Sequence, residues 1–444
     1  MPEATKVWAP GLATDQLAPA VVVGLEVADR LRSRKRVAAA VNASVQQTDF
    51  PPSASWEPHS LAQGDTGLAL MCGYLDSCFP DDGWDVTGHG YLEAAAGGIE
   101  RMAWPSAGLF EGMSGLAFAA RSLSREGTRY RKLLTTIEGA LLPRAVALAQ
   151  DPALQQFGLA YGQFDLIAGI TGIGTYLLSR KEQDGPTGAL LAVLRGLVSM
   201  TGQEEGIPRW HTPARLMGDE SLASRYPYGN LNCGLAHGIP GPLALMALAI
   251  EGGVHVPGLR DAVERLACWL VAQRLDSAGD ADWPTMVPLT ADGEYGRPDT
   301  SRTAWCYGNP GVARSLWLAG RALNEPTWRE SAIDAMAAVY RRPTEERGIG
   351  SPTFCHGAAG LLQITLRFAH DTGLPLFARS AAGLIEQLLA LYEPDSLLGY
   401  RDVEPSGGRV DRPGLLTGSP GVALALLAAG TGVEPTWDRV FLLS

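Results

Sequence analysis

The sequence predicts an all-α protein, an α/α toroid in which seven inner helices are ringed by seven outer ones. Three observations carry that reading. A Gly-x-x-Gly unit recurs seven times, at Gly64/Gly67, Gly112/Gly115, Gly169/Gly172, Gly238/Gly241, Gly308/Gly311, Gly357/Gly360 and Gly418/Gly421. The steps between the first glycines are 48, 57, 69, 70, 49 and 61 residues, and such spacing marks a repeat architecture. An apolar run follows each unit, and a one-sided amphipathic pattern precedes it.

The inner elements come from the runs. Leu68–Cys72, Leu116–Ala120, Leu243–Ile250, Leu361–Leu366 and Val422–Ala429 are rich in strong helix formers and several are apolar nearly all round, which suits helices buried on every side. The outer elements come from periodicity. Leu259, Ala262, Val263, Leu266 and Leu270 share one helical face, as do Phe377, Leu384, Ile385, Leu388 and Tyr392. Further candidates fall at 16–33, 90–102, 128–150, 185–201 and 326–341. Glycine permits positive φ and close backbone approach. Pro240, Pro310 and Pro420 fit the first turn of a helix. The expectation is one toroid over residues 1–444, its seven turns at one end, with a long loop or small insertion near 201–230.

Composition supports a large core. Of 444 residues 46% are hydrophobic and 19% charged, which excludes a mainly disordered chain. A formal charge of −11 excludes an extended basic nucleic-acid surface. Two long uncharged stretches, 229–250 and 413–433, carry Gly, Pro and polar residues through their first halves, so neither reads as a membrane span. No secretory signal is visible and six cysteines are too few for a disulfide framework. The expected setting is soluble, reducing and cytoplasmic.

Three turns carry metal-ligand or acid/base groups: Ala236-His237-Gly238, Trp305-Cys306-Tyr307-Gly308 and Phe354-Cys355-His356-Gly357. Cys306 and Cys355 each stand two residues before the first glycine, so the repeats would present them alike. Two Cys and one His are donors that zinc prefers, and three protein ligands with an open position is its catalytic form. The competing reading is buried core thiols. Cys72, Cys78 and Cys268 lie in or beside apolar runs and read as core, whereas Cys233, four residues before His237, is an alternative ligand. His237 suits proton transfer. Asp165 is a lone carboxylate in an apolar stretch; it pairs with His237 or caps a helix. Arg302 is an ion-pair partner or a solvated surface residue.

The motifs Asn232-Cys-Gly-Leu-Ala-His237-Gly-Ile-Pro-Gly241, Arg302-Thr-Ala-Trp-Cys306-Tyr-Gly-Asn-Pro-Gly311 and Cys355-His356-Gly357 resemble those of the lanthionine synthetase C-like family, the lanthipeptide cyclases. With the glycine pattern, the resemblance extends over roughly residues 16–430. It implies an α/α toroid with Zn2+ bound by Cys306, Cys355 and His356, and His237, Asp165, Arg302 and Tyr307 around the metal. It implies addition of a peptide cysteine to dehydroalanine or dehydrobutyrine, giving lanthionine or methyllanthionine. The implied partners are a dehydrated precursor peptide of leader plus core, a separate dehydratase, and an exporter complex at whose membrane the chain would be peripheral.

Two alternatives stand beside this one. The first is a glutathione-linked relative acting on dehydrated proteins. The second is a non-catalytic scaffold that binds peptide within a synthetase complex. A protein prenyltransferase ring also activates a thiol at zinc, but its metal set includes an Asp. A glycosidase would require paired carboxylates, which the turns do not offer.

Overall fold

Helices begin at Asp65, Met113, Ile170, Pro240, Asn309, Ala358 and Ser419, each just beyond the first glycine of a pair. The computed structural model describes residues 7–12, 14–277 and 280–444. The inner helices are as apolar in surroundings as in sequence: every residue from Asp65 to Asp76, from Asn309 to Gly320 and from Ser419 to Ala429 is buried. The outer helices bury one face. Leu259, Ala262, Val263, Leu266 and Leu270 are buried, as are Phe377, Leu384, Ile385 and Leu388, whereas Tyr392 is half-buried.

The outer candidates at 16–33, 128–150, 185–201 and 326–341 lie within three residues of helices Thr14–Arg32, Arg131–Ala149, Asp184–Met200 and Pro326–Arg341. The candidate at 90–102 is shifted: the helix there is Trp84–Glu100, which starts directly after Gly83 in a left-handed conformation.

The glycines work mainly through space. Of the seven leading glycines only Gly308 has positive φ, at 95°. At Gly238, Gly357 and Gly418 the φ > 0 argument does not apply; an added Cβ would lie 2.1 to 2.3 Å from the carbonyl oxygen six residues back. The second glycines receive a neighbouring turn: a Cβ on Gly311 would meet Leu235 at 3.0 Å, and one on Gly421 would meet Phe354 at 2.8 Å. Pro240, Pro310 and Pro420 occupy first-turn positions as expected.

The residues group into two compact units, 1–104 with 118–131 and 344–438, and 105–117 with 132–343 and 439–444. The helix Met113–Ser122 is divided between them. In the first unit, helix Asp65–Cys78 packs on Trp84–Glu100 and helix Ala358–Thr372 on Pro375–Ala390. The chain's first helix, Thr14–Arg32, packs on its last, Ser419–Gly430. A Cβ at Gly24 would touch Leu427 at 3.0 Å, so this contact is close. In the second unit, helices Ile170–Leu178, Pro240–Glu251 and Asn309–Ala322 pack on Asp184–Met200, Leu259–Ala272 and Pro326–Arg341. An inner helix therefore finds its outer partner mostly after it in sequence.

Backbone hydrogen bonds join successive turns within each unit. In the second, Phe110 N–H donates to Ile167, Leu166 to Ala236 and Ala236 to Cys306, at 3.1, 3.1 and 3.5 Å. In the first, Cys355 donates to Leu416 and Leu416 to Ala62, at 2.8 and 3.3 Å. The irregular 201–230 segment holds the hairpin Gln203–Glu204/Ile207–Pro208, a 3-10 turn and the short helix Glu220–Arg225. Its last strand residue, Asn230, opens the Asn230–Asn232 strand paired antiparallel with Met286–Pro288.

Candidate functional site

In the second unit the structure brings Asp165 and His237 together. Asp165 follows the one-turn helix Tyr161–Phe164 and precedes helix Ile170–Leu178. Its Oδ1 accepts the N–H groups of Ala168 and Gly169, both at 2.8 Å, so the carboxylate ties together the turn that leads into the helix. Its Oδ2 lies 2.6 Å from His237 Nδ1. Of the two sequence readings of Asp165, the structure shows the histidine partner; the N-cap of the following helix is Gly169, without a side-chain cap, and Asp165 bonds the turn ahead of it. Its side chain is 2% exposed and that of His237 41%. With Nδ1 committed to the buried carboxylate, Nε2 is the histidine's second exchangeable position.

The His237 turn is anchored by Asn232. Asn232 Oδ1 accepts Gly234 N–H at 2.8 Å and its Nδ2 donates to the Tyr307 hydroxyl at 3.2 Å. A backbone N–H can only donate, so it fixes which end of the Asn232 amide faces Tyr307. A Cβ on Gly234 would meet the Tyr307 ring at 2.4 Å, so glycine is required for the ring to lie there. Cys306 is buried and its carbonyl accepts Ala236 N–H. Arg302 is exposed and makes no ion pair among the described residues; its carbonyl oxygen lies 1.7 Å from where a Gly308 Cβ would stand.

Cys355 and His356 lie in the first unit, both half-buried. His356 Nε2 is 3.7 Å from Asp402 Oδ1, an ion-pair contact slightly longer than a hydrogen bond. Asp402 and Arg412, the latter with its Nε 3.1 Å from Asp402 Oδ2, were not marked by sequence reasoning. Asp402 opens the two-residue strand Asp402–Val403 and Glu404 follows it, both buried, a stretch too short for alternation to mark them.

Among the described residues no group of three or more His, Cys, Asp and Glu side chains gathers closely enough to hold a metal ion. Cys233 is fully buried, with Sγ 3.8 Å from the Leu231 carbonyl, and burial pushes its thiol well up. This is a core thiol, in place of the alternative ligand. Cys72 is likewise buried, its thiol pushed up to about 12. Cys268 corrects the core reading, because it is exposed on an outer helix. Among the described residues no helix is long and apolar enough to cross a membrane.

Comparison with known proteins places this arrangement. The solved structure of nisin cyclase superposes with a TM-score of 0.73 at 22% identity, covering 92% of this chain and 98% of that one. The chain thus has the fold of that protein, an α/α toroid. "Nisin biosynthesis protein NisC" from Lactococcus lactis subsp. lactis is 23% identical over 315 residues, 70% of this chain and 73% of that protein. Residues 55–442, spanning both units, match the family model for lanthionine synthetase C-like protein, and the chain belongs to the lanthionine synthetase C-like family.

Proposed function

We propose that this protein is a lanthipeptide cyclase that adds cysteine thiols of a dehydrated precursor peptide to dehydroalanine or dehydrobutyrine, forming lanthionine and methyllanthionine thioethers. The observation that carries the reading is the Asp165–His237 pair, a buried carboxylate 2.6 Å from the ring of a half-exposed histidine. Family membership and the likeness to NisC supply the substrate class. Its partners on this reading are the precursor peptide and a separate dehydratase.

Zinc is the proposed cofactor, held by Cys306, Cys355 and His356. What supports it is donor chemistry: two thiols and an imidazole form a zinc-type set. When bound, zinc supplies the substrate sulfur as its thiolate.

The remaining chemistry belongs to the chain. Sulfur bonds to the alkene β-carbon, and the π pair moves towards the α-carbon and its carbonyl as an enolate. The α-carbon then takes a proton, so that, with the thiol proton lost, the reaction is a net isomerisation. His237 is the donor, through Nε2, while Asp165 holds Nδ1–H and faces the imidazolium. Tyr307 and Arg302 are the further catalytic candidates. The Tyr307 oxygen already accepts from Asn232, which leaves its own O–H to point elsewhere.

The test is cyclisation of the cognate dehydrated peptide, followed by alkylation of free thiols and chromatography of ring stereochemistry, with and without chelator. Wild-type protein should accelerate thiol loss and fix the stereochemistry, and His237→Asn should retain zinc while losing about 10²–10⁴-fold in rate. No acceleration and no stereochemical control by wild type would reduce the protein to a peptide-binding scaffold. Metal loss in His237→Asn would make His237 a ligand.

A further inference from the structure

Two repeat turns of the second unit meet at one asparagine, whose amide sets how a tyrosine hydroxyl is aimed. We propose that Asn232 is the positioning residue for Tyr307: by donating to the tyrosine oxygen it directs the hydroxyl proton away from itself, so that Tyr307 donates to the carbonyl oxygen of the substrate as the enolate forms. The proposal rests on the cyclase reading and not on the metal set.

Asn232 closes the strand Asn230–Asn232 and is 1% exposed. Its main chain holds the turn that carries His237, because its carbonyl accepts Ile239 N–H at 3.1 Å. Its side chain lies along the same turn: Oδ1 accepts Gly234 N–H at 2.8 Å and sits 2.6 Å from where a Gly238 Cβ would stand. Nδ2 reaches the next repeat turn and donates to the Tyr307 hydroxyl at 3.2 Å. The Tyr307 ring lies against Gly234 and is half-buried. The tyrosine is thus located twice, by its ring and by its oxygen, against the backbone that presents His237.

A second asparagine on the same face of the strand has the opposite polarity. Asn230 is fully buried; its Oδ1 accepts the Tyr161 hydroxyl at 2.7 Å and its Nδ2 faces the Met217 sulfur at 3.7 Å. The Tyr161 proton is therefore spent inside the protein. Burial pushes that hydroxyl up to about 12, with the side chains of Asn230 and Asn232 among those acting the other way, so it stays a phenol. Its role is to hold the short helix before Asp165, whose N–H donates to the Tyr161 carbonyl at 2.9 Å. Tyr307 receives an N–H instead. An amide N–H₂ can only donate, so the Tyr307 oxygen accepts there and its O–H serves another acceptor. An asparagine needed only to brace the His237 turn could give its N–H₂ to any buried carbonyl. Given to a half-buried hydroxyl, it makes a fixed donor, and one such donor aimed at a developing oxyanion is worth about 10²–10³-fold in rate.

The experiment follows cyclisation of the cognate dehydrated peptide by wild type, Asn232→Asp, Tyr307→Phe and the double variant. Far-UV circular dichroism and the Cζ NMR shifts of ¹³C-tyrosine-labelled protein accompany it, the Tyr307 line being identified by its loss in Tyr307→Phe. Aspartate keeps the acceptor for Gly234 N–H but replaces the donor with a second carboxylate oxygen, which draws the Tyr307 proton inwards. Asn232→Asp should therefore slow cyclisation about 10²–10³-fold, as Tyr307→Phe does, move the Tyr307 Cζ line and keep the helical signal. The double variant should be no slower than either single one, because both remove the same donor. Should Asn232→Asp fail to fold, Asn232→Ser carries the same cycle: its short side chain can keep the Gly234 N–H but cannot reach Tyr307, and its loss of rate should likewise vanish in the Tyr307→Phe background. A wild-type rate in every folded Asn232 variant, or losses that multiply in the double variant, overturns the positioning role and leaves the cyclase reading standing. Absence of cyclisation by wild type overturns both.

Discussion

Two aspartates each face a histidine, and they are held by different means. Asp165 is satisfied by backbone: two N–H groups of the turn that leads into a helix take one oxygen and His237 the other. Asp402 is met by side chains, hydrogen-bonded by the Ser351 hydroxyl and ion-paired with the Arg412 guanidinium, with His356 3.7 Å away. Backbone donors survive any substitution that preserves the turn. Side-chain donors are lost one mutation at a time, and each loss leaves a buried charge behind. The second-unit pair is therefore robust in structure and sensitive in chemistry, whereas the first-unit cluster is the reverse.

The largest effect expected from this contrast is on rate. Asp165→Asn can retain both backbone hydrogen bonds through Oδ1, but its amide N–H₂ now faces His237 Nδ1. The ring must then accept at Nδ1 and carry its proton at Nε2 as a neutral imidazole, and the imidazolium loses its counter-charge. Cyclisation should fall about 10²–10⁴-fold, while the denaturation midpoint moves by no more than a cap substitution allows, about 0.5–2 kcal/mol. A variant with near-normal turnover would show that His237 needs no carboxylate.

The converse substitution is Arg412→Met, which removes from the buried Asp402 and Glu404 the cation that both pair with. Breaking a buried pair by removing one partner costs about 3–5 kcal/mol, and chemical denaturation should register it. Arg412→Lys should recover part of the loss, because the charge returns without the planar fork. If Arg412→Met is as stable as wild type, the cluster is solvated and the contrast between the two aspartates disappears.

The contrast also explains what the sequence disclosed. The Asp165–His237 pair was legible because both residues sit on or beside repeated turns, where each exception to the glycine pattern stands out. Inner helices were legible because runs such as Val422–Ala429 are apolar on all sides and every residue of them is buried. Asp402 opens a two-residue strand pairing outside the repeat and Arg412 stands two residues beyond it, so no period marked them. The four two-stranded sheets are each two or three residues per strand among the described residues, too short for alternation to register. Helix Arg34–Gln47 was missed because only Val37, Ala40 and Ser44 of it are buried, a weak stripe among polar residues. The pairing of the first helix with the last was hidden because proximity in space there has no counterpart in sequence.

The smallest effect concerns a histidine with no carboxylate partner at all. His211 is buried, its Nδ1 3.0 Å from the Pro208 carbonyl and its ring 4.3 Å from that of Phe157. Burial lowers its pKa from the ordinary 6.5, with Arg215 acting in the same direction, while the Pro208 carbonyl opposes the shift. The sign of the linkage follows. With the folded value below the unfolded one, the unfolded chain binds the proton first, so this residue's contribution to stability is full above the unfolded value and declines as pH falls through it towards the folded one. Other groups titrate in the same range, so the observable is a difference between wild type and His211→Gln. Their stabilities should run parallel from about pH 8 down to about 7 and converge or cross below about 6.5. A difference that stays constant down to about pH 5 would mean that His211 titrates alike in both states, and that burial without a carboxylate does not set this histidine apart from the two that face one.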